Sequence, residues 1–225
     1  LMHRAEQLDN LYIFKNTEGT PENIRKFHPN IIVSSTGSAP LLPPIAGLKD
    51  RIDNENHNIY SILGMISHIN DFPKDLEGKK VVVVGGGAVG LDVVEFFADR
   101  NADISIVEMM DQIGRDLDPV SKNDTKTMMK KHNVHQLTKT ALLEVKDSSF
   151  LVKGDGEPYE LPFEYGFVCL GMRAQGQLYQ NLTEEFSSED VEIMNIRDSQ
   201  RARRIIDGTQ EGRNILTVLE QKGYL

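Results

Sequence analysis

The sequence predicts an α/β protein in which helices cover both faces of a parallel β-sheet, and three observations lead to this prediction. Residues 81–84 are four valines in a row, which is typical of a parallel strand buried on both faces. A glycine-rich turn at residues 85–90 leads into apolar residues at helical spacing as far as Ala98. Residues 103–107 then alternate like a second strand. Strand, turn, helix and strand within about 30 residues form a βαβ unit.

The first residues of the chain predict a short strand and a helix. Residues 11–14, with the sequence Leu-Tyr-Ile-Phe, are predicted to form the strand. Thr20 followed by Pro21 predicts a helix start, because threonine caps helix N-termini and proline suits the first helical position. This helix is expected to end near residues 28–29, where a proline follows a histidine.

The rest of the chain predicts alternating strands and helices. Residues 31–33 are a compact apolar strand that runs into a turn of small polar residues, and the proline-rich segment 39–47 predicts an extended crossing between domains. The later predicted elements are a helix at about 119–132, several short strands between 134 and 161, a buried strand around 165–170 and a final helix at about 201–221.

Charge and composition exclude several classes of protein. The hydrophobic fraction of 39% and the charged fraction of 26% are ordinary for a globular chain. A net charge of -9 argues against a nucleic-acid binder, which needs a basic face. The sequence contains no apolar run of the ~18 residues that a membrane span needs, and no signal peptide opens it. We therefore expect a cytoplasmic protein with no membrane or nucleic-acid partner.

The single cysteine, Cys169, excludes an internal disulfide, a CxxC redox centre and an iron-sulfur cluster built from this chain alone. It lies in an apolar run, so we expect it in the core. His132 and His135 have no carboxylate or cysteine nearby at ligand spacing, and no metal site is predicted. No residue has the pattern of a general base or nucleophile, so no catalytic residue is predicted.

The glycine-rich turn is the motif that carries chemistry. In a strand-turn-helix context, Gly85 permits the tight turn, Gly87 lets a pyrophosphate approach the backbone, and Gly90 lets the helix pack closely on the sheet. The helix start supplies N–H groups and a partial positive charge to phosphates. Glu108 ends the next strand, 18 residues after Gly90, where an acidic side chain binds ribose hydroxyls.

These residues predict a Rossmann-type site for a nicotinamide dinucleotide. Because Glu108 would repel a 2′-phosphate, NAD(H) is favoured over NADP(H), although Arg115 is close enough in sequence to leave the preference open. A βαβ unit that binds no ligand is the alternative.

The order of several longer runs resembles a known family. These runs are SSTGSAPLLPPIAGL, KKVVVVGGGAVGLDVVEFFADRNADISIVEMMDQIGRDLDP, VCLGMRAQ and RDSQRARRIIDGTQEG. Between about residues 30 and 212 the chain is similar to the C-terminal half of the NADH:flavin oxidoreductases related to 2-enoate reductase, 2,4-dienoyl-CoA reductase and NADH oxidase. The resemblance implies the two-dinucleotide-binding flavoprotein fold, in which an NAD(P)-binding domain is inserted into an FAD-binding domain. The family also carries an N-terminal barrel with FMN and a 4Fe-4S cluster.

The resemblance implies domains and site residues in this chain. Residues 1–45 would be part of an FAD-binding domain, 46–179 the NAD(P)-binding domain and 180–225 the return segment of the FAD-binding domain. The residues expected near NAD are Gly85, Gly86, Gly87, Ala88, Val89, Gly90, Asp92, Glu108, Met109 and Gly171. The residues expected near FAD are Thr36, Gly37, Ser38 and Asp198.

The chain also departs from the family pattern. The Gly-Asp pair of the family is Arg197-Asp198 here, and its Arg-Pro is Arg173-Ala174. Only one GxGxxG loop is present, and the barrel and the cluster cysteines are lacking. We therefore expect a fragment, inactive alone, of an enzyme that passes hydride from NADH to FAD and on to FMN, to reduce enoate-type substrates or oxygen.

The expected partners of such a fragment are the flavin barrel and the rest of the FAD domain. Two alternatives to this reading stay open. One is a non-catalytic NAD-binding regulatory module, and the other is a fragment of a ferredoxin- or rubredoxin-reductase-type flavoprotein.

Overall fold

A computed structural model describes residues 2–5, 7–203 and 205–224. Its α-helices, in chain order, are α1 (Met2–Ala5), α2 (Pro21–Arg25), α3 (Leu48–Arg51), α4 (Ile62–Ser67), α5 (Ala88–Ala98), α6 (Pro119–Lys131), α7 (Gln177–Glu185) and α8 (Ile205–Gln221). Its strands are β1 (Ile31–Ser34), β2 (Ser38–Pro40), β3 (Ile59–Tyr60), β4 (Lys80–Val84), β5 (Asp103–Val107), β6 (His135–Leu137), β7 (Ala141–Val145), β8 (Ser149–Lys153), β9 (Tyr159–Pro162), β10 (Tyr165–Val168), β11 (Met172–Ala174) and β12 (Glu192–Asn195).

The chain divides into two compact units. One unit comprises residues 39–173, and the other comprises the residues before 39 and after 173. The two crossings are β2 and β11, which pair with each other. These divisions come slightly earlier along the chain than the boundaries expected from the sequence, and the assignment of each unit to a cofactor remains a prediction.

The 39–173 unit is built on a five-stranded parallel sheet with the order β3-β10-β4-β5-β6. Strand β4 lies in the centre, and its side chains alternate between two separate parts of the core. Val81 and Val83 pack on the side of α5 against Phe97 and its neighbours. Val82 and Val84 pack on the opposite side. The run of valines is explained by this burial on both faces, and the predicted α/β class is confirmed.

The prediction placed helices on both faces, but the second face is covered mainly by a three-stranded antiparallel sheet, β7-β8-β9, with only the short helix α3 beside it. Val145, Phe150 and Val152 from this sheet lie in one hydrophobic cluster with Val82 and Val84 of the parallel sheet. The burial of these side chains is the main force holding the layers together, because apolar area removed from water contributes about 25 cal/mol per Å².

The other unit is small and has a thin core. Strands β1 and β12 pair in parallel, with Ile32 opposite Ile193. Ile32 is buried with Leu182 and Phe186 from α7 and the residue after it. Arg25 of α2 forms ion pairs with Glu185 and Glu189, and its guanidinium lies over the ring of Phe186.

Two local expectations about this unit need correction. Residues 11–14 form no strand, and Tyr12 is exposed. An apolar extended segment is stable as a strand only if another strand pairs with it. The final helix is observed from Ile205 to Gln221, whereas it was expected from about residue 201.

The helix that was predicted from Thr20 and Pro21 is present. Thr20 is its N-cap, and the side-chain oxygen of Thr20 accepts a hydrogen bond from the Asn23 amide at 3.3 Å. The helix ends at Arg25, a little before the expected residues 28–29. None of the described helices is both long and apolar enough to cross a membrane.

Candidate dinucleotide-binding site

A cavity of about 610 Å³ opens at the carboxyl edge of the parallel sheet. Its size is that of a small-molecule or cofactor site. The loops after β4, β5 and β10 meet there, and β4 lies between the other two strands. Strand β5, which follows β4 in the chain, lies on one side of β4, and the later strand β10 lies on its other side. The strand order therefore changes direction at β4, and open α/β sheets bind ligands at such a switch point. The cavity is lined by Pro43, Ile45, Val84, Gly85, Gly87, Ala88, Val89, Val107, Glu108, Met109, Asp116, Thr140, Ala141, Leu142, Cys169, Leu170 and Gly171.

Two glycines of the loop after β4 are required by close packing. Gly85 has a φ of 109°, which side-chain-bearing residues rarely adopt, and a Cβ there would lie 2.2 Å from the Cys169 carbonyl oxygen. A Cβ at Gly90 would lie 1.9 Å from the Gly85 carbonyl oxygen. Gly90 thus lets the first turn of α5 approach the loop, and Gly85 lets the loop approach the residue after β10.

Gly87 differs from these two glycines because its Cα faces open space. It is the N-cap of α5 with a φ of -79°, and a Cβ there would meet no protein atom within 4 Å. No side chain caps the helix at this end. The N–H groups of Ala88 and Val89 lack partners within the helix, since the first N–H groups of any helix do. An anion in the cavity can approach these donors without obstruction.

Glu108 is held in place by the backbone on both sides of its carboxylate. Its Oε2 accepts a hydrogen bond from the Gly86 amide at 2.6 Å, and its Oε1 accepts one from the Met110 amide at 2.7 Å. Each carboxylate oxygen has a second lone pair, so both retain acceptor capacity. Glu108 thus fixes the glycine loop and also lines the cavity with a negative charge.

Most of the residues predicted for the NAD site line this one cavity. They are Gly85, Gly87, Ala88, Val89, Glu108, Met109 and Gly171. Gly86 and Gly90 do not line the cavity but shape the loop behind it. Asp92 lies elsewhere, in a smaller surface depression with Glu95 and Asp124, and partial burial raises the pKa of its carboxyl.

Sequence reasoning missed one wall of the cavity. Pro43 and Ile45 come from the proline-rich segment, and Thr140, Ala141 and Leu142 come from the start of β7 and the residue before it. Backbone hydrogen bonds fix this wall: the Leu41 amide donates to the Gly171 carbonyl at 2.9 Å, and the Val145 amide donates to the Ala46 carbonyl at 2.8 Å. No motif marks these residues, because only tertiary packing brings them to the site.

Cys169 also lines the cavity, but its thiol is buried and only 7% of the residue is exposed. Burial, with a smaller contribution from the charge of Asp92, raises the pKa of the Cys169 thiol to about 12. The thiolate is the reactive form of cysteine, so this thiol is inert near neutral pH.

We expect the folded chain to resist alkylation. At pH 8 iodoacetamide should modify Cys169 on the order of a thousandfold more slowly than it modifies a free cysteine of pKa ~8.5, because the thiolate fraction is smaller by about that factor. Intact-mass spectrometry over time measures the rate, and the urea-unfolded chain is the control. Equal rates in the folded and unfolded chains would show that the thiol is not protected.

The residues predicted to contact FAD lie in the other unit. Thr36 and Gly37 follow β1, and Asp198 follows β12, so all three lie at the carboxyl edge of one parallel strand pair. The Thr36 hydroxyl donates to the Gln175 carbonyl at 2.5 Å, and Asp198 Oδ1 accepts from the Arg203 amide at 3.2 Å. Ser38 opens β2.

Arg197 occupies the position of the family glycine near the expected FAD site. It has a φ of 62°, in the left-handed region that favours glycine. Its side chain packs on α8, where its Nε lies 2.4 Å from the position that a Cβ at Gly208 would take. Arg197 therefore keeps the backbone shape of a glycine but fills the adjacent space with a guanidinium.

Metal ligation has no support in the described residues, which contain no group of three or more His, Cys, Asp or Glu side chains able to hold an ion. His132 caps the end of α6. His135 in β6 lies 3.4 Å from Asp103, through its Nε2 and the carboxylate Oδ1.

Comparison with known proteins shows which sequence family and which relatives the chain is similar to. The profile of the pyridine nucleotide-disulphide oxidoreductase family matches residues 9–193. A metal reductase of Desulforamulus reducens is 26% identical, over 88% of this chain and 32% of that protein. An NADH oxidase of Thermoanaerobacter brockii is also 26% identical, over 85% of this chain and 28% of that protein. The chain thus spans about a third of the length of these relatives.

Solved structures show the same fold. A complex of 2-naphthoyl-CoA reductase with 2-naphthoyl-CoA superposes with a TM-score of 0.75 at 21% identity, over 94% of this chain and 30% of that one. Histamine dehydrogenase from Rhizobium sp. 4-9 superposes with a TM-score of 0.73 at 14% identity, over 95% of this chain and 35% of that one.

Proposed function

Because the chain belongs to the pyridine nucleotide-disulphide oxidoreductase family, we propose that its 39–173 unit binds NADH and presents it for hydride transfer to a flavin. One observation carries the proposal: an uncapped helix start, an open glycine and an acidic side chain meet in one cavity at the switch point of the sheet. This is the combination that a dinucleotide needs, since it offers donors to the pyrophosphate and an acceptor to the ribose.

The residues of the cavity suggest how each part of the cofactor is held. The amides at the start of α5 would bind the pyrophosphate, with Gly87 leaving room for its approach. Glu108 would accept hydrogen bonds from the adenosine ribose. The nicotinamide would lie towards Leu170 and Gly171, after β10. Bound in this way, the nicotinamide supplies a hydride, and the protein contributes binding and orientation.

Replacing Glu108 by alanine tests the role of its carboxylate. NADH should bind about tenfold more weakly, because the ribose loses an acceptor and the loop loses two hydrogen bonds. The preference for NADH over NADPH should also narrow, because a repelling charge is removed. Titration calorimetry with both nucleotides measures the two effects, and Glu95→Ala, on the exposed side of α5, is a suitable control. Unchanged affinities for both nucleotides would contradict this role.

The larger reaction is proposed by analogy with the relatives. Hydride would pass from NADH to FAD and on to FMN in the rest of the enzyme, with enoate- or enoyl-type compounds or oxygen as the final acceptor. The 4Fe-4S cluster would likewise be held by the rest of the enzyme. The names of the relatives, which include a metal reductase and an NADH oxidase, support electron transfer from NADH without fixing the acceptor.

We infer that the proposed FAD-binding part needs further polypeptide. In the described residues, β1 and β12 pair only with each other, and Val33 of β1 is exposed. A parallel sheet is stable mainly when both of its faces are covered, and a pair of strands is marginal. The chain has no second glycine loop for a flavin pyrophosphate. We therefore propose that strands from the remainder of an FAD-binding domain complete this sheet.

A non-catalytic NAD-binding module is the second candidate, and the single glycine loop is the observation that favours it. Calorimetric titration of the purified chain with NADH, NADPH and FAD in parallel tests both candidates. Micromolar binding of NADH with weak NADPH and no FAD binding would support a dinucleotide unit that needs further polypeptide for its flavin. Tight FAD binding would contradict the proposed incomplete flavin site, and the absence of NADH binding would contradict the proposed function.

A further inference from the structure

An exposed methionine lines the dinucleotide cavity. Met109, the residue after Glu108, is 68% exposed and forms part of the cavity wall. Its neighbour Met110 is 40% exposed but does not line the cavity. The other methionines whose side chains the structure describes are buried or half-buried: Met65, Met128, Met129, Met172 and Met194. Of this described set, Met109 is therefore the most accessible to solvent and the one that a bound dinucleotide would meet.

The backbone is fixed on both sides of Met109. The Thr140 amide donates to the Glu108 carbonyl at 2.9 Å, and the Lys139 amide donates to the Met110 carbonyl at 2.9 Å. The Met110 amide also donates to the Glu108 carboxylate at 2.7 Å. None of these hydrogen bonds uses the side chain of Met109. A chemical change in that side chain would therefore alter the cavity wall while the backbone and the Glu108 carboxylate keep their positions.

The proposed orientation of the cofactor puts its adenosine part beside Met109. Glu108 is proposed to hold the adenosine ribose, and Met109 is the next residue along the same wall. A thioether suits contact with an aromatic ring, because sulfur is polarizable and the unbranched side chain adapts its shape. Oxidation to the sulfoxide makes this side chain polar and chiral, and it disrupts contacts that depend on methionine. The oxidised residue would therefore receive the adenine less well.

From this geometry we propose that Met109 is a reversible oxidation site through which a peroxide lowers the affinity of the chain for NADH. The proposal rests on the proposed binding of NADH and adds a form of regulation to that site. The sulfur lone pair attacks one oxygen of hydrogen peroxide, an S–O bond forms as the O–O bond breaks, and proton transfer to the departing hydroxide gives water. The sulfur loses two electrons and the peroxide gains them. Methionine sulfoxide reductases reverse the change.

The test is treatment of the purified chain with hydrogen peroxide, which is removed before NADH is titrated. Mass spectrometry of peptides identifies the oxidised residues, and calorimetry gives the NADH affinity. Oxidation of Met109 should weaken NADH binding about fivefold, the scale of a lost sulfur-aromatic contact. Incubation with methionine sulfoxide reductases should restore the affinity. Saturating NADH should slow the oxidation of Met109, because the bound cofactor covers its side chain.

Met109→Leu and Met110→Leu are a matched pair, because the two methionines are adjacent and exposed and only Met109 lines the cavity. Leucine stays apolar and forms no sulfoxide. Peroxide should leave the NADH affinity of Met109→Leu as it was, and it should weaken binding to Met110→Leu as it does in the parent chain.

Three results would overturn the proposal. The first is a parent chain in which peroxide leaves Met109 unmodified, and the second is an unchanged NADH affinity after Met109 has been oxidised. The third is an equal loss of affinity in peroxide-treated Met109→Leu, which would assign the effect to another residue. Failure of the untreated parent chain to bind NADH would instead contradict the proposed function itself.

Discussion

Replacing Gly87 by alanine is expected to weaken NADH binding by about a hundredfold or more with only a small loss of stability. Gly87 has a φ of -79° that alanine adopts freely, and a Cβ at this position meets no protein atom within 4 Å. The methyl group would instead occupy the space through which a pyrophosphate reaches the start of α5. Alanine is a poorer N-cap than glycine, so a loss of stability below about 1 kcal/mol is expected.

Two measurements separate binding from folding in this variant. Calorimetry gives the NADH affinity, and urea denaturation gives the free energy of unfolding. Gly156→Ala is the matched control, because a Cβ at Gly156 also meets no atom within 4 Å and the residue lies outside the cavity. If Gly87→Ala bound NADH as well as the control did, the pyrophosphate would not pass Gly87, and the proposed orientation of the cofactor would be wrong.

Replacing Gly90 by alanine is expected to have the largest effect on stability. A Cβ there would lie 1.9 Å from the Gly85 carbonyl oxygen, so α5 and the loop must move apart. We expect the free energy of unfolding to fall by about 2–3 kcal/mol, the scale of an overpacked core, despite the better helix propensity of alanine. NADH binding should be lost as well, because the displaced loop no longer presents its amides.

Gly212→Ala provides the comparison for this variant. Gly212 lies inside α8, and a Cβ there meets no atom within 4 Å, so alanine should be neutral or should stabilise the chain by up to about 1 kcal/mol. Urea denaturation of Gly90→Ala, Gly212→Ala and the parent chain measures the differences in the free energy of unfolding. A Gly90→Ala chain as stable as its parent would mean that the close approach of α5 to the glycine loop is not required by the fold.

The sequence was sufficient to predict the central strand of the parallel sheet and, at the site, the glycine loop and Glu108. Four consecutive valines can all be buried only in a strand that is covered on both faces, and β4 is such a strand. The glycine loop and Glu108 could be predicted because each has a local conformational or chemical task at a fixed spacing. Their convergence on one cavity follows from the geometry of a βαβ unit.

Other parts of the structure could not be predicted because they depend on distant contacts. Thr140 and Leu142 reach the cavity only because β7, β8 and β9 pack across the sheet through Phe150 and its neighbours. The apolar segment 11–14 was wrongly predicted as a strand because composition does not reveal whether a pairing strand exists. Asp116 lies in an irregular loop, where sequence does not indicate which side chain turns towards the cavity.

The hydrogen bonds of Gly86 have a consequence for how a ligand would be received. Its amide donates to Glu108 and its carbonyl accepts from Gly114, so two points of the connection after β5 are joined to the glycine loop through one residue before any cofactor enters. A site that is ordered in advance loses little conformational entropy on binding. Association with such a site is governed by encounter and orientation of the ligand, and the protein does not have to fold around its cofactor.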